Sequence, residues 1–328
     1  MTIPADIAEG LRLPVLGAPM FLVSGTDLVL AQCAAGVLGS FPTSNARTVE
    51  MLDEWLDEID RRWNSLRLEN PDAPPAHWAV NVVSHKSNNR LADDLKLIAE
   101  YRPRVVITAL GGPKPVVDIV HNYGGMVWAD VNSVHFARKA LDAGADGLVL
   151  VGAGAGGHTG KMHGLPFLAA VREFFDGPVA LGGGLGTGGC VRAVEAAGAD
   201  LANMGTAFIA TEESLAPTAY KNMLVNGTLD DLVLSDAITG VHAYWLKESV
   251  RAAGLDPDNL VKDFETNFAK VDLDRKTQER RDRWRKIWSA GHGIGHVDGI
   301  EPVAGLVGRL TREYAAACAR PPMFSPVA

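Results

Sequence analysis

The feature that most constrains this 328-residue chain is a short β-type run that recurs on average about every 27 residues, with helical pattern between successive runs. Eight such runs are legible, at residues 13–18, 37–41, 78–83, 104–108, 126–130, 148–151, 178–181 and 201–204. Helical stretches fall between them, for example 27–35, 48–63, 133–142 and 187–196. In 48–63, Leu52, Trp55, Leu56, Ile59 and Trp63 share one face and acids the other. Ala143-Gly144-Ala145-Asp146 and Ala197-Gly198-Ala199-Asp200 each close a helix and launch a strand, as glycine after a last helical turn should. Eight βα units in series predict an α/β protein built as a parallel (β/α)8 TIM barrel. A doubly wound open sheet is the competing arrangement of the same elements.

Apolar residues make up 47% and charged residues 21%, an ordinary globular composition. The net charge of −8 argues against nucleic acid or an anionic membrane as a partner. No apolar run reaches the roughly 20 residues that span a bilayer, and residues 1–10 lack a basic-then-apolar leader. Cys33, Cys190 and Cys318 have no disulfide or metal-ligand spacing and read as buried small hydrophobes in a reducing compartment, so a cytoplasmic protein is expected. After Thr206 the pattern changes. Residues 1–211 are predicted to form the barrel, 212–289 a mostly helical insertion without a good strand, and 290–328 a segment returning to supply the last barrel helix at 303–319. The dense charge of 272–286 reads as a solvated helix face.

Three glycine-rich loops follow predicted strands. In a (β/α)8 barrel the C-terminal strand ends form the active face, with phosphate held near the last two strands. Those ends carry Gly182-Gly183-Gly184 and Asn203-Met204-Gly205-Thr206, where backbone N–H groups could approach phosphate oxygens, assisted by a helix N-terminus near Thr187. Gly152-x-Gly154-x-x-Gly157 and Gly184-x-Gly186-x-x-Gly189 match the dinucleotide fingerprint only as strings. Neither opens a first βαβ unit, and Asp176 precedes its strand. The third loop ends in His158, a side chain that titrates near neutrality and can take a proton from a carbon acid or steady an anion. His163 reads as an ordinary loop residue.

Residues 13–20 (Leu-Pro-Val-Leu-Gly-Ala-Pro-Met), Val23-Ser24-Gly25, Ala79-Val80-Asn81-Val82, Ala155-Gly156-Gly157-His158, Asn203-Met204-Gly205-Thr206 and Trp288-Ser289-Ala290-Gly291 together resemble the nitronate monooxygenase family, formerly 2-nitropropane dioxygenases. The resemblance runs in order along nearly the whole chain. It implies non-covalently bound FMN and oxidation of alkyl nitronates by O2 to a carbonyl compound and nitrite. It also implies that Ala18, Pro19 and Met20 lie along the flavin, that Asn81 hydrogen-bonds it, and that Gly156 and Gly157 pack near it. Gly182, Gly183, Gly184, Asn203, Met204, Gly205 and Thr206 would form the phosphate end, and His158 would be the catalytic residue. The implied partners are a small-molecule substrate and O2, with room for a homo-oligomer. Val151, Gly154 and His292 stand where many members carry Gln, Glu and Gln. These departures leave open a related NAD(P)H-dependent flavin reductase of a quinone, enone or enoyl thioester. A flavin-free barrel that binds a phosphorylated small molecule is the alternative of another class.

Overall fold

The computed structural model describes residues 2–261 and 287–321. In chain order its strands are β1 (Val15–Gly17), β2 (Gly39–Pro42), β3 (Trp78–Val83), β4 (Val105–Ala109), β5 (Met126–Val131), β6 (Gly147–Val151), β7 (Gly157–His158), β8 (Val179–Gly182), β9 (Leu201–Met204), β10 (Leu232–Ser235) and β11 (Ala243–Leu246). Eight of them form one parallel sheet in the order β1-β9-β8-β6-β5-β4-β3-β2. Leu38, just before β2, closes the ring. Its N–H donates to Val15 O at 3.0 Å, and its carbonyl accepts from Gly17 N–H at 2.8 Å. The sheet is therefore a closed (β/α)8 barrel rather than an open doubly wound sheet.

Strand alternation explains why the runs read as continuously apolar: both faces are buried. Along β6, Leu148 and Leu150 pack outward against the helices while Val149 points into the barrel. Leu201 on β9, Trp128 on β5, Ile107 on β4 and Ala79 on β3 share that interior. Ile3 and Ile7 join the same cluster, so the short helix Ala5–Glu9 stoppers the barrel at its N-terminal end. The helix tying this end down is itself anchored, with Thr2 N–H and Oγ1 donating to Asp200 and Arg104 pairing with Asp6.

Helix boundaries follow local chemistry. Thr48, Ser133 and Thr187 each accept a backbone N–H through the side chain at the start of Val49–Glu69, Val134–Asp142 and Gly188–Ala196. The repeated Gly144 and Gly198 sit at φ +95° and +104°, just past the ends of their helices. The last helix, Val303–Cys318, packs against both Thr26–Ala35 and Gly188–Ala196 and so fills the eighth position of the outer ring.

Two expectations need correction. The stretch after residue 212 is not without strands: among the described residues it holds the helices Thr218–Asn226 and Lys247–Ala252, but also β10 and β11. These pair antiparallel, and β11 pairs in turn with β7. Val233 on β10 and, on β11, Trp245 opposite it and the adjacent Tyr244 are strand-favouring types that the shortness of the run concealed. The cysteines also differ among themselves. Cys33 is buried, which pushes its thiol up to about 12, whereas Cys190 is half-buried and Cys318 exposed. The charged run 272–286 lies outside the described residues. No described helix is long and apolar enough to cross a membrane.

Replacing Ile7 with Ala should remove about 2–5 kcal/mol from the unfolding free energy, the usual cost of truncating a fully buried aliphatic side chain. Urea unfolding followed by circular dichroism measures it. A change under about 0.5 kcal/mol would show that the helix Ala5–Glu9 is not part of the barrel's core.

Candidate active site

The inward-facing phase of the strands ends, at the C-terminal mouth, in a layer that is no longer apolar. Above Trp128 comes Asp130, above Leu201 comes Asn203, above Ala180 comes Gly182, and above Val149 comes Val151. All four line a cavity of about 470 Å³, within the range of small-molecule sites. Phe21, Tyr220, Trp245 and Trp288 add aromatic wall.

Close backbone packing builds the glycine side of this cavity. A Cβ on Gly183 would stand 2.7 Å from Ala153 O, and the residue holds φ +137°. One on Gly156 would stand 2.7 Å from Gly291 N, and one on Gly291 2.5 Å from Gly154 O. Residues 289–293 therefore lie directly on the loop after β6. His292 N–H donates to Gly154 O at 2.9 Å, and Gly291 N–H donates to Thr206 Oγ1 at 2.9 Å, which joins the loops after β6 and β9. The Tyr220 hydroxyl donates to Ser289 O, and its ring stacks on Trp288 at 5.0 Å.

The loop after β1 is held from the other side. Asn45, 5% exposed, accepts from Leu22 N–H at 2.8 Å and donates to Met20 O and Ser24 O at 2.9 and 2.8 Å. Leu22 takes φ +63°, a conformation costly for a non-glycine residue, and the Asn45 bond stabilises it. Asn45 is fixed in turn by Arg90, which donates to Thr43 O and Ala46 O and pairs with the buried Asp94.

Two titratable groups face the cavity without a hydrogen-bond or ion-pair partner among the described residues. His158 sits on β7, opposite Ala243 of β11, and Thr159 N–H donates to His242 O at 3.0 Å. Its ring is exposed to the cavity yet walled by protein, and that burial lowers its pKa below the ordinary histidine value. The imidazole is thus neutral at neutral pH and able to accept a proton. Asp130 is shifted the opposite way: burial pushes its carboxyl up to about 7.

Of the residues singled out from sequence, the structure brings together around the cavity Ala18, Pro19 and Met20 with Gly156, Gly157 and His158. Gly182, Gly183 and Gly184 join them, as do Asn203, Gly205 and Thr206. Met204 is not among the lining residues, because strand alternation turns it outward into the core against the helices. Asn81 also stays out of the lining, its amide donating to Ile107 O at 3.2 Å. The helix N-terminus near Thr187 does not serve the cavity either. Gly188 N–H is taken by Glu313 at 2.7 Å and Cys190 N–H by Thr187. His292 packs beside Gly184 and edge-on to Tyr244. Asp130 and Asn45 escaped sequence reasoning. The only signal for Asp130 was an acid in phase with inward residues at a strand's end; for Asn45, a turn residue, there was none.

A glycine-lined cradle at adjacent strand ends, an amide oxygen of Asn203 buried without a partner, and a planar-walled mouth fit a phosphate-bearing aromatic cofactor. Fold and site together define a (β/α)8 barrel with a small-molecule cavity at its C-terminal mouth. The chain belongs to the nitronate monooxygenase family, whose model matches residues 7–313, and that family is flavin-dependent. The chain is 27% identical to a nitronate monooxygenase of Neurospora crassa, over 91% of this chain and 88% of that one. It is 27% identical to (3aS,4S,5R,7aS)-5-hydroxy-7a-methyl-1-oxo-octahydro-1H-indene-4-carboxyl-CoA dehydrogenase of Mycobacterium tuberculosis, over 71% of this chain and 62% of that one. The chain thus spans less than two thirds of the length of that relative. Among solved structures, a nitroalkane oxidase of Streptomyces ansochromogenes superposes with a TM-score of 0.75 at 25% identity, covering 96% of this chain and 99% of that one.

Removing the Asn45 side chain (Asn45→Ala) should leave Leu22 N–H and Ser24 O without that partner, while Met20 O keeps the backbone N–H groups of Val23 and Ser24. That is expected to cost about 1–3 kcal/mol for each group left buried without a partner, and to loosen the loop after β1. Thermal unfolding together with proteolysis within residues 18–24 tests it. Unchanged Tm and unchanged cleavage would show that the loop holds itself.

Proposed function

We propose that this protein is an FMN-dependent oxidoreductase that converts alkyl nitronates and O2 to a carbonyl compound and nitrite. The observation that carries it is His158: an imidazole without a partner among the described residues, lining a glycine-rich cavity and held there by the β7–β11 pairing. Gly183, Gly184 and Gly205 would hold the phosphate, with Thr206 fixed behind them. Ala18, Pro19 and Met20 would flank the ring, and the unpaired Asn203 Oδ1 would accept from a donor on the cofactor. When bound, the flavin supplies electron transfer from nitronate to O2. The chain's own residues do the rest. His158 takes the α-proton when the substrate arrives as a neutral nitroalkane, and Phe21, Tyr220, Trp245 and Trp288 limit water around the carbon being deprotonated.

A second reading has one specific support, the relatives named as carboxyl-CoA dehydrogenases in Mycobacterium tuberculosis and Rhodococcus jostii. It is a flavin enzyme that acts on a CoA thioester, or that reduces an enone or quinone with NAD(P)H.

His158→Ala should lose about 10²–10⁴-fold in kcat/KM on a neutral nitroalkane, the range of general acid–base catalysis. On the pre-formed nitronate the loss should be smaller, because the proton is already gone. In wild type the nitroalkane rate should fall as pH drops through the lowered His158 pKa, below about 6.5, since protonation removes the base. Equal activity of mutant and wild type on both substrate forms removes His158 from the chemistry. Consumption of NAD(P)H with a thioester or quinone, and no turnover of nitronate, favours the second reading. Gly183→Ala should give protein largely free of FMN, measured by absorbance after heat release; full occupancy would contradict the cradle.

A further inference from the structure

The cavity contains an acid that the proposed reaction has not used. Asp130 is the last inward-facing residue of β5, directly above Trp128 in the barrel interior. In the closed strand order β5 lies four positions from β1 whichever way the ring is followed, so Asp130 stands diametrically across the mouth from the Ala18–Met20 loop. The carboxyl is half-buried, lines the cavity, and has no hydrogen bond and no cation among the described residues. A carboxylate drawn partly out of water with no partner is costly. The protein has left this group waiting for something that the cavity binds.

We infer that Asp130 serves as a neutral carboxylic-acid donor, giving its O–H to an electron-rich oxygen or nitrogen that gains negative charge in the cavity. The assignment rests on the proposed flavin site and extends it. The acceptor chemistry has two sources, the flavin ring itself or the bound substrate anion, and in either case an O–H at this position stabilises charge that a carboxylate would repel. Burial alone sets the protonation state, raising the carboxyl to about 7. The neighbouring strand residues on β4 and β6 carry no ionisable group. The helices Lys114–Asn122 and Val134–Asp142 pack against β5 and bring Lys114, Asp118, His121, His135, Arg138, Lys139 and Asp142, none of which pairs with Asp130. Among the described residues that line the cavity, the other titratable groups are His158, which titrates on the acid side of its usual value, and Tyr220, pushed up to about 12 with its hydroxyl on Ser289 O. The pH window around 7 therefore belongs to Asp130. Below it the group is a donor; above it the group is an anion.

The test uses the flavin-loaded protein and two absorbance readouts. In the first, the visible flavin spectrum is followed without ligand from about pH 5.5 to 8.5. In the second, nitrite is titrated in as an anionic probe at each pH. Wild type is expected to show a one-proton transition near pH 7 in at least one arm. In the nitrite arm the Kd should rise about tenfold per pH unit above it. A transition in the first arm assigns the acceptor to the ring; a transition confined to the second assigns it to the bound anion. Asp130→Asn, which keeps an uncharged donor at every pH, should flatten the transition and retain binding at the low-pH level. Should that variant load flavin poorly, the wild-type infrared spectrum decides: the carbonyl stretch of a protonated carboxylic acid should be present below the window and bleach above it. No transition in either wild-type arm, a transition that survives in Asp130→Asn, or no such carbonyl band overturns the inference. Both arms read absorbance and binding, so they fail or succeed independently of whether nitroalkanes are turned over.

Discussion

The arrangement of the mouth depends on the closure of the ring between β1 and Leu38. β1 is only three residues long, and two backbone hydrogen bonds to Leu38 join the two ends of the sheet. Once the ring is shut, the inward phase of every strand is fixed, because a one-residue slip would exchange inside for outside along the whole strand. Trp128, Leu201, Val149 and Ala180 then fall in the same interior, and the next inward position on each strand falls at the mouth. The site's floor is thus a consequence of register: Asp130, Asn203, Val151 and Gly182 occupy it because they stand two residues beyond core positions.

What lies above the floor is held by backbone packed on backbone. Gly154, Gly156 and Gly291 meet at distances that leave no room for a β-carbon, and Gly183 meets Ala153 in the same way. Such contacts bring backbone close to backbone without side-chain entropy. The cost is that the loop after β6 has no core of its own. Its position is set by β11, by Thr159 reaching back to Gly152, and by residues 289–293. His158 owes its place to that frame.

Much of this was legible in the sequence. Periodicity gave all eight barrel strands, to within a residue or two at their ends, because each run is apolar on both faces and closes at a capped helix. The glycine loops and His158 were visible because their residue types are unusual at strand ends. Met204 stands outside the cavity lining because side chains at 203 and 204 point to opposite faces, which a motif read as a string does not show. β10 and β11 were hidden by their brevity, since four residues of Leu-Val-Leu-Ser or Ala-Tyr-Trp-Leu carry too little period to tell strand from helix. Asn45 and Asp130 depend on long-range neighbours. An asparagine in a turn and an acid in a strand look ordinary until the ring closes and shows what they face.

The position of the helix Val303–Cys318 bears on how the chain acquires its shape. It fills the ring between Thr26–Ala35 and Gly188–Ala196, yet it is made after the whole of the segment that contains β10 and β11. As the protein emerges from the ribosome, eight strands can be complete while one flank of the cylinder still lacks its cover. Val15, Ala202 and Met204 then wait with their outward faces wet until the final helix arrives. Contacts separated so widely in sequence are slow to form. Through that interval the growing chain displays apolar surface, the condition in which aggregation competes with folding.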